Sequence, residues 1–130
     1  MATLERIRVT TRRGIEGDAF VGGSGPDLVF FHGAGGVTAD DPLLTQLADS
    51  FTVHAPVWPG FGPDETETSV EDMLDFTLHG WDLVDAFARQ DLPIVVGHSM
   101  GAMIAAEMAS VARNDLAKLV LLTPAGMWID

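Results

Sequence analysis

The sequence predicts an α/β fold with a mostly parallel sheet flanked by helices. Three observations carry that expectation. Short continuous apolar runs, suited to strands buried on both faces, recur four times; segments of helical period lie between them; and glycine-rich turns stand at their ends. Strand alternating with helix implies parallel pairing through right-handed crossovers.

The elements follow in order. Residues 6–11 alternate polar and apolar and residues 15–21 do so more weakly, which predicts an amphipathic antiparallel pair; Gly22-Gly23-Ser24-Gly25-Pro26 reads as a turn between strands. The four buried runs are 28–31, 52–57, 93–96 and 119–122. Asp41 with Pro42 has the form of an N-cap and first-turn proline, opening a helix through Leu43, Leu44 and Leu47. Ser69 with Asp72 is a capping-box variant ahead of apolar positions Val70, Met73, Leu74, Leu78, Trp81, Val84, Phe87 and Ala88, which predicts a long amphipathic helix. Residues 101–112 are apolar on nearly every side apart from Glu107 and Ser110, so a helix covered all round is expected there.

Composition bounds what this architecture can be. The chain has 130 residues, 47% hydrophobic and 20% charged, enough for one domain spanning 1–130 and one core. Its 19 acidic against 7 basic side chains give a formal charge of −12, which argues against nucleic acid as a partner. Arg12-Arg13, joined by Arg6 and Arg8, reads as a solvated strand edge. Without cysteine there is no disulfide, thiolate metal site or thiol nucleophile. Neither a signal-peptide pattern nor an apolar run of membrane-spanning length is present, so the expectation is a soluble cytoplasmic protein with no membrane partner.

The sharpest motif is Gly97-His98-Ser99-Met100-Gly101, directly after one buried run and directly before the apolar helix. It has the pattern G-x-S-x-G in strand-turn-helix context. Glycines suit such a turn because larger side chains would collide where the chain reverses so sharply, and the serine hydroxyl is pushed to the carboxyl edge of the sheet above a helix N-terminus. That combination gives a weak nucleophile access and electrostatic support. A second motif, His32-Gly33-Ala34-Gly35-Gly36, ends the 28–31 run and can turn a backbone N–H toward a developing oxyanion. Read instead as a dinucleotide fingerprint it fails, since the third glycine position falls on Thr38 and the next strand ends on His54, Ala55 and Pro56 with no ribose-binding acid. The sole lysine, Lys118, lies far from any glycine loop, which removes a phosphate loop as well; no cofactor is expected.

With Pro59-Gly60-Phe61-Gly62 after the second buried run, these motifs make nearly the whole sequence resemble the α/β-hydrolase fold superfamily, in its serine esterase and carbon–carbon-bond hydrolase branch. The resemblance implies that residues 6–11 and 15–21 are the initial antiparallel strands and the four buried runs the third to sixth. It makes Ser99 the nucleophile and the main-chain amides of Ala34 and Met100 the oxyanion donors, with Gly33 and Gly35 allowing the approach. It implies a small-molecule substrate carrying an ester, thioester or activated carbon–carbon bond. His32 would orient the oxyanion loop, and His98 would pack and bond within the elbow. The fold is then incomplete, lacking a cap and the last two strands, as for the N-terminal portion of a longer hydrolase.

In such proteins the acid and the histidine follow the serine, whereas His32, His54, His79 and His98 all precede Ser99 here, and Asp130 is the one carboxylate after the sixth run. The general base is missing, so inactivity of the chain alone is expected. His54 and His79 read as structural. Residues 119–122 would form an exposed apolar sheet edge that needs a C-terminal half or another chain to cover it. Trp58, Phe61, Met103, Met127 and Trp128 are candidates to line an apolar pocket. Two rival functions remain open at this level: a non-catalytic binding module, and a cofactor-free acyltransferase in which an alcohol replaces water.

Overall fold

A computed structural model of the chain describes residues 3–62, 70–87 and 91–126. The described residues form one six-stranded sheet: β1 (Glu5–Thr10), β2 (Glu16–Gly23), β3 (Asp27–Phe31), β4 (Thr52–Pro56), β5 (Ile94–His98) and β6 (Lys118–Leu122), in spatial order β1-β2-β4-β3-β5-β6. β1 and β2 pair antiparallel, as does β2 with β4; β3 pairs parallel with β4 and β5, and β5 with β6. The α/β sheet expected from the sequence is present, antiparallel pair included.

Period-two alternation in β3 sends its side chains to opposite faces. Val29 and Phe31 join Trp58, Val95, Ile104 and Met108 on one side; Leu28 and Phe30 join Leu44, Val53 and Val96 on the other. The second face is covered by α1 (Pro42–Leu47), whose N-cap Asp41 accepts from the Leu43 and Leu44 amides with Pro42 in the first turn. The first face is covered by α2 (Met73–Phe87) and α3 (Met100–Ala112).

Ser69, the expected cap of the long helix, lies outside the described residues. Asp72 does the capping instead. Its carboxylate accepts from the Asp75 amide at 2.8 Å, while Asp75 reaches back to the amides of Glu71 and Asp72. The helix also turns a different face inward than its leucines suggest: Leu74 is 64% exposed and Leu78 39%, while Thr77, His79, Gly80, Asp82, Leu83, Val84 and Phe87 are buried. The reason is contact with α3. A Cβ at Gly80 would collide with the Met108 sulfur, so this glycine leaves room for the Met108 side chain between the helices. Buried Asp82 on the same helix is held by Arg13 at 2.5 Å and Arg12 at 3.6 Å, so these arginines, largely solvated as expected, also tie the β1–β2 turn to α2.

Two further expectations change. The helix α3 is not covered all round, for Glu107, Ser110 and Val111 face outward, Val111 being 67% exposed. β6 is only half-buried because it is the last strand of the sheet, so burial on both faces fails there while the exposed apolar edge is present.

Candidate active site

The chain leaves β3 toward β4 on one side and leaves β5 toward β6 on the other, although β3 and β5 are neighbours. Their carboxyl ends therefore flank a topological switch point, where open α/β sheets form a crevice. The two glycine motifs sit on those two ends.

At the end of β5 the chain reverses within one residue. Ser99 has φ 55, in the left-handed region that costs a non-glycine residue about 1–2 kcal/mol, and α3 begins at the next residue. Three main-chain hydrogen bonds hold it there: its N–H donates to the Leu122 carbonyl at 3.0 Å, and its carbonyl accepts from Met103 and Ala125, both at 3.1 Å. The flanking glycines are steric necessities. A Cβ on Gly97 would lie 2.6 Å from the Ala102 Cα, and one on Gly101 would strike the Phe31 carbonyl and come within 2.6 Å of that of His32.

The β3 loop closes on the same point. A Cβ on Gly33 would stand 3.0 Å from the Ser99 Cβ and 3.1 Å from the His98 carbonyl, so absence of a side chain at 33 lets the loop lie against the serine. Gly35 has open space around it among the described residues. The Gly36 amide donates to Gly33 at 3.1 Å, forming a turn with Ala34 and Gly35 at its exposed tip. Among the described residues neither the Ala34 nor the Met100 amide donates to a backbone carbonyl. Met100 stands at the positive end of the α3 dipole.

His32 fixes the loop from beneath. Its Nε2 accepts from the Trp58 amide at 2.9 Å, so Nδ1 carries the proton and donates to the Gly33 carbonyl at 2.6 Å; the Trp58 indole N–H returns to the His32 carbonyl at 3.2 Å. Burial pushes the His32 pKa below its ordinary value, against the opposing effect of the Gly33 carbonyl. A neutral ring with both nitrogens engaged is no base for Ser99.

The other three histidines stand on β4, β5 and α2. His98 is exposed beside Gly33 and not packed into the elbow as expected. His54 bonds Asp27 at 2.9 Å and stacks on Phe87 in the body of the fold, and His79 is buried on α2 with its ring 6.3 Å from that of Trp58. Asp130, Met127 and Trp128 lie outside the described residues. Trp58 is core, 1% exposed and stacked on Phe31 at 4.7 Å, and touches a pocket that it lines with Val57, Pro59 and His79. Phe61 remains accessible and meets the His32 ring edge-on at 5.4 Å, and half-buried Met103 lies under the loop after β6, against Gly126. Among the described residues no group of three or more His, Asp and Glu converges as a metal site would require.

Sequence reasoning missed the Leu122 and Ala125 contacts with Ser99, since main-chain bonds leave no mark in residue type. It also missed the Arg13–Asp82 pair, whose signal was a carboxylate among the apolar positions of a helix.

A sequence model of the alpha/beta hydrolase family matches residues 28–130. The chain is 36% identical over 110 residues to the dihydrolipoyllysine-residue acetyltransferase component of the acetoin cleaving system of Cupriavidus necator, a match covering 81% of this chain and 28% of that protein. It is 39% identical over 94 residues to the pimeloyl-[acyl-carrier protein] methyl ester esterase of Stenotrophomonas maltophilia, covering 69% and 33%. Among solved structures, E-2-(acetamidomethylene)succinate hydrolase superposes with a TM-score of 0.77 at 32% identity, over 89% of this chain and 43% of that one. The chain thus spans about a third of the length of the curated relatives it matches.

Proposed function

The chain belongs to the alpha/beta hydrolase family, and from that premise we propose that it is the nucleophile-bearing part of a serine hydrolase acting on a small-molecule ester, thioester or activated carbon–carbon bond in the cytoplasm. The observation that carries this reading is Ser99 at φ 55 between β5 and α3, with Gly33 of the facing loop against it. Ser99 Oγ attacks the carbonyl carbon while its proton passes to a general base. The oxyanion so formed is held by the Ala34 and Met100 amides, each donor contributing about 3 kcal/mol to the transition state. Collapse expels the alcohol, thiol or carbon leaving group with that proton, and water then releases the acid from the acyl-serine.

The base and its acid partner come from outside the described residues. His32 serves the loop and the remaining described histidines are buried away from the serine or exposed beside it, so the described part alone carries at most a weak residual rate. The similarity to an esterase supports hydrolysis. The similarity to an acetyltransferase component favours a second reading, in which an alcohol or thiol takes the acyl group in place of water.

The test uses the folded protein expressed from its full reading frame, with a short-chain nitrophenyl ester and a competing alcohol. Hydrolysis that falls about a thousandfold or more in Ser99→Ala supports the proposal. Product dominated by the new ester supports acyl transfer. No turnover by either route in folded protein leaves a binding module and refutes both.

A further inference from the structure

Ser99 is not the only strained residue near the elbow. Thr123, immediately after β6, has φ 42, and among the described residues these two are the non-glycine residues in the left-handed region. For a β-branched side chain that conformation is a genuine outlier, and such outliers persist only where the surroundings impose them. The two outliers are bonded to one another's segments. The carbonyl of Leu122, the residue before Thr123, accepts from the Ser99 amide, and the Ala125 amide, two residues after Thr123, donates to the Ser99 carbonyl. Pro124 has no N–H, so Ala125 supplies the first donor after Thr123. Both polar groups of the Ser99 main chain are therefore gripped by one short strap, while a single bond, from Met103, comes from α3 itself. The strap is seated in turn, for Gly126, at φ 81, fits against Met103, whose sulfur would lie 2.8 Å from a Cβ there.

We propose that the strap from Leu122 to Ala125 is the device that holds Ser99 in its left-handed conformation, and that Ala125 is a positioning residue acting through its main-chain N–H. The inference rests on the reading of Ser99 as nucleophile for its catalytic consequence only. A helix begun at Met100 leaves Ser99 free to relax into a helical N-cap geometry; the strap, bonded on both sides of the residue, prevents that. β6 thus does more than extend the sheet: its end sets the direction in which the serine hydroxyl leaves the turn.

The test removes the Ala125 hydrogen-bond donor by replacing Ala125 with lactic acid, which also makes the Pro124 carbonyl a weaker ester acceptor, through nonsense suppression in the protein expressed from its full reading frame; Ala125→Pro is the genetic counterpart. Two readouts are taken on material whose thermal midpoint shows it folded. The Cβ shift and HN–Hα coupling of Ser99 report its φ and need no activity; the rate at which a fluorophosphonate labels Ser99 reports its reactivity. The proposal expects Ser99 to leave positive φ in a substantial fraction of molecules and the labelling rate to fall about tenfold, with Ala125→Gly, which keeps the N–H, behaving as the parent. Unchanged φ in the lactic acid variant overturns it, whatever the labelling does. A parent that holds φ positive yet never labels refutes the nucleophile reading and leaves the strap to be judged by the coupling alone.

Discussion

The sharpest expectations concern single atoms added where the site has no room. Gly33→Ala inserts a methyl 3.0 Å from the Ser99 Cβ and 3.1 Å from the His98 carbonyl, so loop and elbow must part by a few tenths of an ångström. Turnover or labelling at Ser99 is expected to drop at least tenfold, with a thermal midpoint only slightly lower. Gly35→Ala, two residues along, meets nothing within 4 Å and should leave both unchanged. His32 adds a pH dependence with a definite sign. Burial holds its pKa below 6.5, so between 6.5 and its folded value the unfolded chain binds a proton that the native ring refuses. Stability from this residue is complete above pH 6.5 and is lost as pH falls through that window; urea midpoints measured against pH should show the decline, and His32→Gln should flatten it. An unchanged slope would remove His32 as its source. The Ser99 and His32 motifs were legible in the sequence because each residue type has a chemical reason to stand where it does. The Leu122 and Ala125 bonds to Ser99 were not, because any residue but proline offers the same amide.

At the level of elements, α2 shows where sequence pattern and packing part company. Its leucines at 74 and 78 marked one face, yet Gly80 and Met108 chose another, since seating the Met108 side chain against Gly80 outweighs the burial of two leucines at a rim. Asp82 then lies inward and depends on the β1–β2 turn for its counter-charge. Removing both partners in Arg12→Ala/Arg13→Ala leaves a buried carboxylate uncompensated and should destabilise the protein by about 2–3 kcal/mol, toward the low end for such pairs because both guanidinium groups are part-solvated. Chemical denaturation checks it, and a loss under about 0.5 kcal/mol would mean that water reaches Asp82. The Asp72–Asp75 cap was half legible. The sequence offered Ser69 and Asp72 as a pair, and which of several cap-forming residues starts a helix is decided by where the incoming chain bends.

For the molecule as a whole, the mostly parallel sheet was readable because continuous apolar runs need cover on both faces; the strand order, which places β3 and β5 side by side with loops departing in opposite directions, was not, because crossover handedness leaves the neighbours of each strand open. That single topological fact brings two glycine motifs, some sixty residues apart in the chain, to one crevice. The half-exposed β6 edge, with Val120 40% exposed, should make the described part prone to association through strand pairing, and Val120→Lys should reduce light scattering on concentration without loss of fold. The proposed site rests on a serine held in a forced turn, with two main-chain amides as its proposed oxyanion donors. The most direct measurement is peptide-level mass spectrometry of the folded protein, expressed from its full reading frame, after exposure to a fluorophosphonate. The account expects one phosphonyl adduct, located on Ser99 and absent from Ser99→Ala; a folded protein whose Ser99 peptide stays unmodified, or whose adduct sits on another serine, would contradict it.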